Sequence, residues 1–302
     1  MRLCDLWGNL PVPPDPFPWS AVADGRFAPQ LPAVSLVFAA IAPHGTLPEA
    51  PVAGADATHA ALAELGRRFE AARPEATIVL TPHNVHIQGH FAVVLAGTLA
   101  GSLADFDAPE VRLSSPVDLE LATQAIVALH DDGIPVVGAS FGGNDPAGAT
   151  APMDWGVLIP LWVMGGRADP QPPVVVVSPA RDRSLEEHVR AGRSLARVVE
   201  ESGKRVAVIA SADHGHAHDA DGPYGLDPAA AEYDARVVEI VNENRLGDLL
   251  ELDPSFVDAA KADSWWQLLM LHGTLGDGWR GEFLSYEAST YFGMLCAAYV
   301  PN

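Results

Sequence analysis

Short β-branched apolar runs alternate along this chain with longer amphipathic stretches. The runs at 34–42, 77–81, 91–95, 134–139, 174–178 and 205–210 are bounded by turn residues and read as buried strands. Between them, apolar residues recur at helical spacing over 55–72, 117–131, 154–165 and 184–202. The second of these stretches stops at Asp132-Gly133, a C-cap signal. The last third predicts helices near 228–244, 254–260 and 263–275, a strand at 283–286, and a terminal helix from Ser289. This alternation predicts an α/β fold, a single domain with a mostly parallel central sheet flanked by helices on both faces. Residues 1–33 are proline-rich and carry Trp7, Phe17 and Trp19, so they read as an N-terminal arm preceding a domain over 34–302.

Three of the predicted strands run into histidines. Val34–Ala42 leads to Pro43-His44-Gly45, Thr77–Thr81 to Pro82-His83, and Val206–Ala210 to Ser211-Ala212-Asp213-His214-Gly215-His216-Ala217-His218. In parallel strands these histidines share the carboxyl edge of the sheet, where open α/β sheets bind ligands. A right-handed crossover places the strands before His44 and His83 side by side or nearly so. Clustered neutral imidazoles at such an edge suggest a metal site or proton transfer.

Two imidazoles leave a metal site incomplete. Glu287 ends an apolar strand in Phe283-Leu284-Ser285-Tyr286-Glu287 and is the carboxylate expected to complete it. A contact with a helix N-terminus explains the same position. Two histidines and one carboxylate leave one face of a metal open, which suits non-haem Fe(II), and zinc or manganese accept the same ligands. In the 211–218 loop, one histidine over the open face is placed to shuttle a proton, and Asp213 reads as a supporting or capping group. His86 and His90 follow His83, with His86 a candidate for lining a pocket. His59, His130, His188 and His272 fall in helical patterns and read as surface or packing residues.

Composition narrows the partners. The net charge of −21 argues against nucleic acid and anionic membrane. No apolar run reaches the ~20 residues of a membrane span. The start lacks a secretory pattern, and two cysteines, Cys4 and Cys296, build no disulfide framework. A cytoplasmic location is the expectation.

Taken in order, Pro43-His44-Gly45, the strand ending at His83, the Ser211–His216 loop and Tyr286-Glu287 resemble the catalytic subunit of class III extradiol ring-cleavage dioxygenases, the protocatechuate 4,5-dioxygenase superfamily. The stretch from Asp154 to Leu161 is similar to the family's Asp-His-Gly…Pro-Leu segment. The resemblance covers about residues 34–300. It implies Fe(II) held by His44, His83 and Glu287, with His216 as the acid/base residue and a small aromatic and O2 as reactants. His86, Trp155, His214 and Tyr286 become substrate-binding candidates. Trp155 departs from the family, many members of which carry a substrate-contacting histidine there, so the resemblance does not specify the ring substituents, though it leaves the metal site intact. A homo-oligomer is expected, and some relatives require a small accessory subunit. The competing readings are a Memo-like metal-binding or redox protein of the same fold, and a zinc-dependent hydrolase. The carboxylate and the absence of cysteine near the motifs favour the dioxygenase.

Overall fold

The computed structural model describes residues 35–302, so the arm expected over 1–33 lies outside the described residues. In chain order the elements are β1 (Leu36–Ala42), α1 (Asp56–Ala72), β2 (Ala76–Leu80), β3 (Phe91–Val94), β4 (Thr98–Leu103), β5 (Ala108–Pro116), α2 (Leu119–Asp131), β6 (Val136–Ala139), β7 (Thr150–Pro152), α3 (Trp155–Val163) and β8 (Val174–Ser178). They continue with α4 (Leu185–Glu201), β9 (Val206–Ser211), α5 (Pro228–Asn242), α6 (Pro254–Ala259), α7 (Trp265–Leu275), β10 (Trp279–Glu287) and β11 (Met294–Pro301). Local chemistry fixes several helix starts. Ser184 and Glu187 form a reciprocal capping box at α4, and Asp154 caps α3 by accepting from the amide of Val157.

Eight strands form one sheet in the order β10-β11-β1-β9-β2-β8-β3-β6, and β5-β4-β7 form a second, smaller sheet. The large sheet is mixed, which corrects the expectation of a mostly parallel one. β1, β9, β2 and β8 run parallel as neighbours, and β6 runs parallel to β3. The β10–β11 hairpin is antiparallel and adds β11 antiparallel to β1, while β3 is antiparallel to β8.

The helix expected from Ser289 is instead strand β11. Its run Met-Leu-Cys-Ala-Ala-Tyr-Val-Pro is buried over its first six residues and has a partner strand on each side. A run that is apolar all round carries no period to separate strand from helix, and pairing decides between them. Strands β4, β5 and β7 also escaped the hydrophobic pattern; β4 carries Thr98, Gly101 and Ser102, and β5 alternates buried Val111, Leu113 and Ser115 with exposed residues.

Alternate residues of β1 enter different cores. Ala39 and Ile41 pack with Leu195 and Val198 of α4 and Leu268 and Leu271 of α7. Phe38, Ala40 and Ala42 pack with Leu62, Leu65 and Phe69 of α1. This period of two leaves the carboxyl ends of β1, β9 and β2 in line, with Ala42 opposite Ser211 and Leu80 opposite Ala210.

Candidate metal centre and cavity

Because β9 sits between β1 and β2, the loop that follows it lies between the turns carrying His44 and His83. The two rings meet edge to face, with centroids 5.0 Å apart. His44 is fully buried and held at two points. Its amide donates to Asp213 Oδ1 at 3.0 Å, and its Nδ1 lies 2.9 Å from Ser211 Oγ. The Ser211 hydroxyl spends its hydrogen on the carbonyl of Gly156 at 2.5 Å, so toward His44 it accepts. Nδ1 therefore carries the imidazole proton, and the Nε2 lone pair is left for a ligand.

His83 sits in a turn fixed by reciprocal bonds between Asn84 and Asp154. The Asn84 amide donates to Asp154 Oδ2 at 2.6 Å, and the Asp154 amide donates to Asn84 Oδ1 at 3.2 Å. The Ser178 hydroxyl, at the end of β8, donates to the His83 carbonyl at 2.7 Å. Gly156 is required close by, because a Cβ there would lie 2.7 Å from Thr81 Oγ1 and 3.1 Å from His83 Cδ2.

The carboxylate that faces this pair is Asp263, from the segment between α6 and α7. Its Oδ2 lies 3.2 Å from His83 Nε2 and 3.6 Å from His44 Nε2. Asp263 is placed by the histidine loop itself, since its amide donates to the His214 carbonyl at 3.2 Å and the His216 amide donates to Ala260 O at 2.9 Å. Arg181 Nη2 takes Oδ1 at 2.5 Å and also donates to Pro82 O at 3.1 Å. That clamp turns Oδ2 inward, where it is buried and has no hydrogen-bond partner.

One atom from each of His44, His83 and Asp263 falls within 4.8 Å of the others, and among the described residues no other His, Cys, Asp or Glu group does so. Two imidazole nitrogens and one orphaned carboxylate oxygen fit a divalent metal and match the two-histidine, one-carboxylate set of non-haem iron sites.

Glu287 is not part of this group, which corrects the ligand set expected from sequence. Its carboxylate is consumed by the N-terminus of α1, accepting from the Ala57 amide at 3.2 Å, the Thr58 amide at 2.7 Å and the Thr58 hydroxyl at 2.7 Å. The positive end of a helix satisfies it fully. Asp263 was missed because an acidic residue just ahead of a helix reads as a cap, and no strand points at it. Its only signal was its place in Asp263-Ser264-Trp265-Trp266.

The group opens onto a cavity of about 1630 Å³ lined by His44, His83, Asp263, Asp213, His86, Trp155 and His216 among others. His216 directs Nδ1 at the carbonyls of His214, 2.7 Å away, and Lys261, 3.1 Å away. An N–H must satisfy those acceptors, so Nε2 carries the lone pair.

His214 and Tyr286, expected at the substrate, do not line the cavity. His214 is fully buried, bonded through Nδ1 to Ser264 Oγ at 2.9 Å, and burial pushes its imidazole below the ordinary range. Tyr286 donates to Asp234 Oδ2 at 2.6 Å. That same oxygen lies 2.8 Å from His218 Nε2, and Oδ1 accepts from the Gly215 amide at 2.7 Å. Asp234, buried on α5, thus ties the histidine loop to β10. His188, read as packing, is buried against Phe91.

Residues 40–296 match the family described as the catalytic LigB subunit of aromatic ring-opening dioxygenase, and the chain belongs to that family. The protein CA_C1420 of Clostridium acetobutylicum is 27% identical over 217 residues, covering 72% of this chain and 46% of the relative. The chain therefore spans about half the length of that curated relative. The crystal structure of uncharacterized protein JW3007 from Escherichia coli K12 is similar in fold, with a TM-score of 0.57 at 20% identity, covering 87% of this chain and 99% of that one. Among the described residues no helix is long and apolar enough to cross a membrane.

Proposed function

We propose that this protein is a metal-dependent extradiol dioxygenase that opens the ring of a catechol- or o-aminophenol-type aromatic with O2. The observation that carries the reading is the buried Asp263 Oδ2, which has no hydrogen bond and faces two imidazoles at the floor of the cavity. His44, His83 and Asp263 would hold the metal, with Fe(II) the ion this donor set suits best. When bound, Fe(II) supplies a Lewis-acidic centre with open positions for the adjacent ring heteroatoms and for O2.

The chain's own residues then do three things. Ser211 keeps the His44 Nε2 lone pair turned inward, and Arg181 keeps Asp263 Oδ2 there. His216 takes a proton from the ring hydroxyl at Nε2 and returns it as the ring opens. The aromatic side chains of the cavity wall hold the ring and exclude water. Family membership and the donor set support this reading, and so does the acidic surface, which suits neither nucleic acid nor an anionic membrane as partner. Self-association and a cytoplasmic location belong to the same proposal.

The test is to purify the protein without oxygen, reconstitute it with Fe(II), and follow yellow ring-opened product from a panel of catechols and aminophenols. Wild type should bind one iron per chain and turn over, and Asp263→Ala should do neither. Stoichiometric zinc with hydrolase activity and no oxygen uptake would overturn the reading.

A further inference from the structure

The metal centre occupies a small part of its cavity. A volume of about 1630 Å³ exceeds the roughly 300–1000 Å³ of ordinary small-molecule sites, and a single six-membered ring leaves most of it empty.

Two separate aromatic groups line the space. In one, Trp155 lies 4.7 Å from the His83 ring and 5.6 Å from Phe106. The other surrounds His216, with Tyr224 at 6.0 Å, Tyr291 at 5.9 Å and Phe292 at 5.6 Å. Each group adjoins one histidine of the cavity, the first His83 and the second His216. Three of these side chains are unusually open for their size, Phe106 at 55%, Trp155 at 37% and Tyr224 at 57%. Exposed apolar surface gathered at a cavity marks a binding site rather than stray surface.

Charge sets the character of the occupant. The lysine and arginines that line the cavity are already paired, Arg181 with Asp263, Arg183 with Glu187 and Lys261 with Asp258. No unpaired cation among the lining residues is left to receive a substrate carboxylate, and the acidic residues there would repel one.

We infer that the substrate is an extended, uncharged aryl-substituted catechol or aminophenol, whose second ring stacks on Trp155 and Phe106 while the first is presented to His44, His83 and Asp263. The inference rests on the ring-opening reading and names its substrate class. Trp155 and Phe106 are then specificity-determining residues, since offset and edge-to-face stacking rewards a second ring and ignores its absence.

The experiment is anaerobic titration calorimetry of the full Fe(II)-loaded chain with catechol, 2,3-dihydroxybiphenyl and 3,4-dihydroxybenzoate. Turnover of the same three compounds is measured in parallel. The biphenyl should bind about tenfold or more tighter than either single-ring compound. Phe106→Ala, at an exposed position, should shrink that preference several-fold, and Trp155→Ala should shrink it further. Equal affinities, tightest binding of the benzoate, absence of binding by all three, or a preference that survives both substitutions would each overturn the inference. Binding in the expected order without turnover of any compound would leave the cavity assignment standing and sink the ring-opening reading instead.

Discussion

The imidazole of His44 donates through Nδ1 to Ser211 Oγ, 2.9 Å away, because the Ser211 hydrogen is committed to the Gly156 carbonyl. One serine at the end of β9 thus sets the tautomer of His44 at the end of β1. Ser211→Ala removes that acceptor, frees the ring to rotate or change tautomer, and should weaken metal binding by about 10–100-fold. Competition against a chelator with spectroscopic readout checks this, and unchanged affinity would show that Ser211 does not orient the ligand.

Two carboxylates compete for the role of third ligand, and paired variants separate them. Asp263→Asn should abolish stoichiometric iron. Glu287→Gln should keep iron bound and cost about 0.5–2 kcal/mol of stability, the range for a lost helix N-terminal contact. Metal analysis beside thermal or denaturant unfolding of both variants decides the matter. Loss of iron in Glu287→Gln with Asp263→Asn fully loaded would reverse the assignment.

The Glu287 contact also carries a pH signature. Burial disfavours its charge, but the hydroxyl and amide of Thr58 and the amide of Ala57 prevail, so its pKa lies below the ordinary value. A depressed folded-state pKa gives stability that is full above the unfolded value, about 4.3, and is lost as pH falls through the folded one. The stability gap between wild type and Glu287→Gln should therefore be largest near neutrality and narrow on acidification below about pH 4. Melting curves of the two proteins across that range test the sign.

In the proposed reaction His216 serves only as a proton carrier. His216→Ala should lower kcat by about 10²–10⁴-fold while iron binding persists. Single-turnover kinetics with quantified iron distinguish this from loss of the metal, and normal turnover in the variant would remove His216 from the mechanism.

Asp234 touches no cavity surface, yet it receives the Gly215 amide, the Tyr286 hydroxyl and His218 Nε2. Replacing it with asparagine presents donors to donors. Asp234→Asn should cost about 1–3 kcal/mol of stability and lower kcat, with iron content unchanged, because the loop that aims His216 loosens. Unfolding curves and kcat measured on the iron-loaded variant check both parts.

The ends of β1, β2 and β9 were legible because each is a short apolar run cut off by proline, serine or another turn former, a signal that needs no tertiary partner. His44 and His83 followed from those ends, as did the position of His216 in the loop after β9. Strand direction was less legible. β11 runs against both of its neighbours and β3 against β8, and nothing in an apolar run records the sense in which it will be paired. β11 itself looks like a helix until β1 and β10 are seen to hold it on both edges.

The sequence by itself determined which residues end the strands, and so which imidazoles meet at one sheet edge, because hydrophobic period and turn chemistry act over a few neighbours. Which carboxylate faces the two histidines was decided only in three dimensions. Glu287 found the N-terminus of α1, 229 positions from Thr58, and Asp263 was carried to the histidines by backbone bonds to His214 and by Arg181. A carboxylate goes where donors converge on it, and that convergence belongs to the fold rather than to any local stretch of chain.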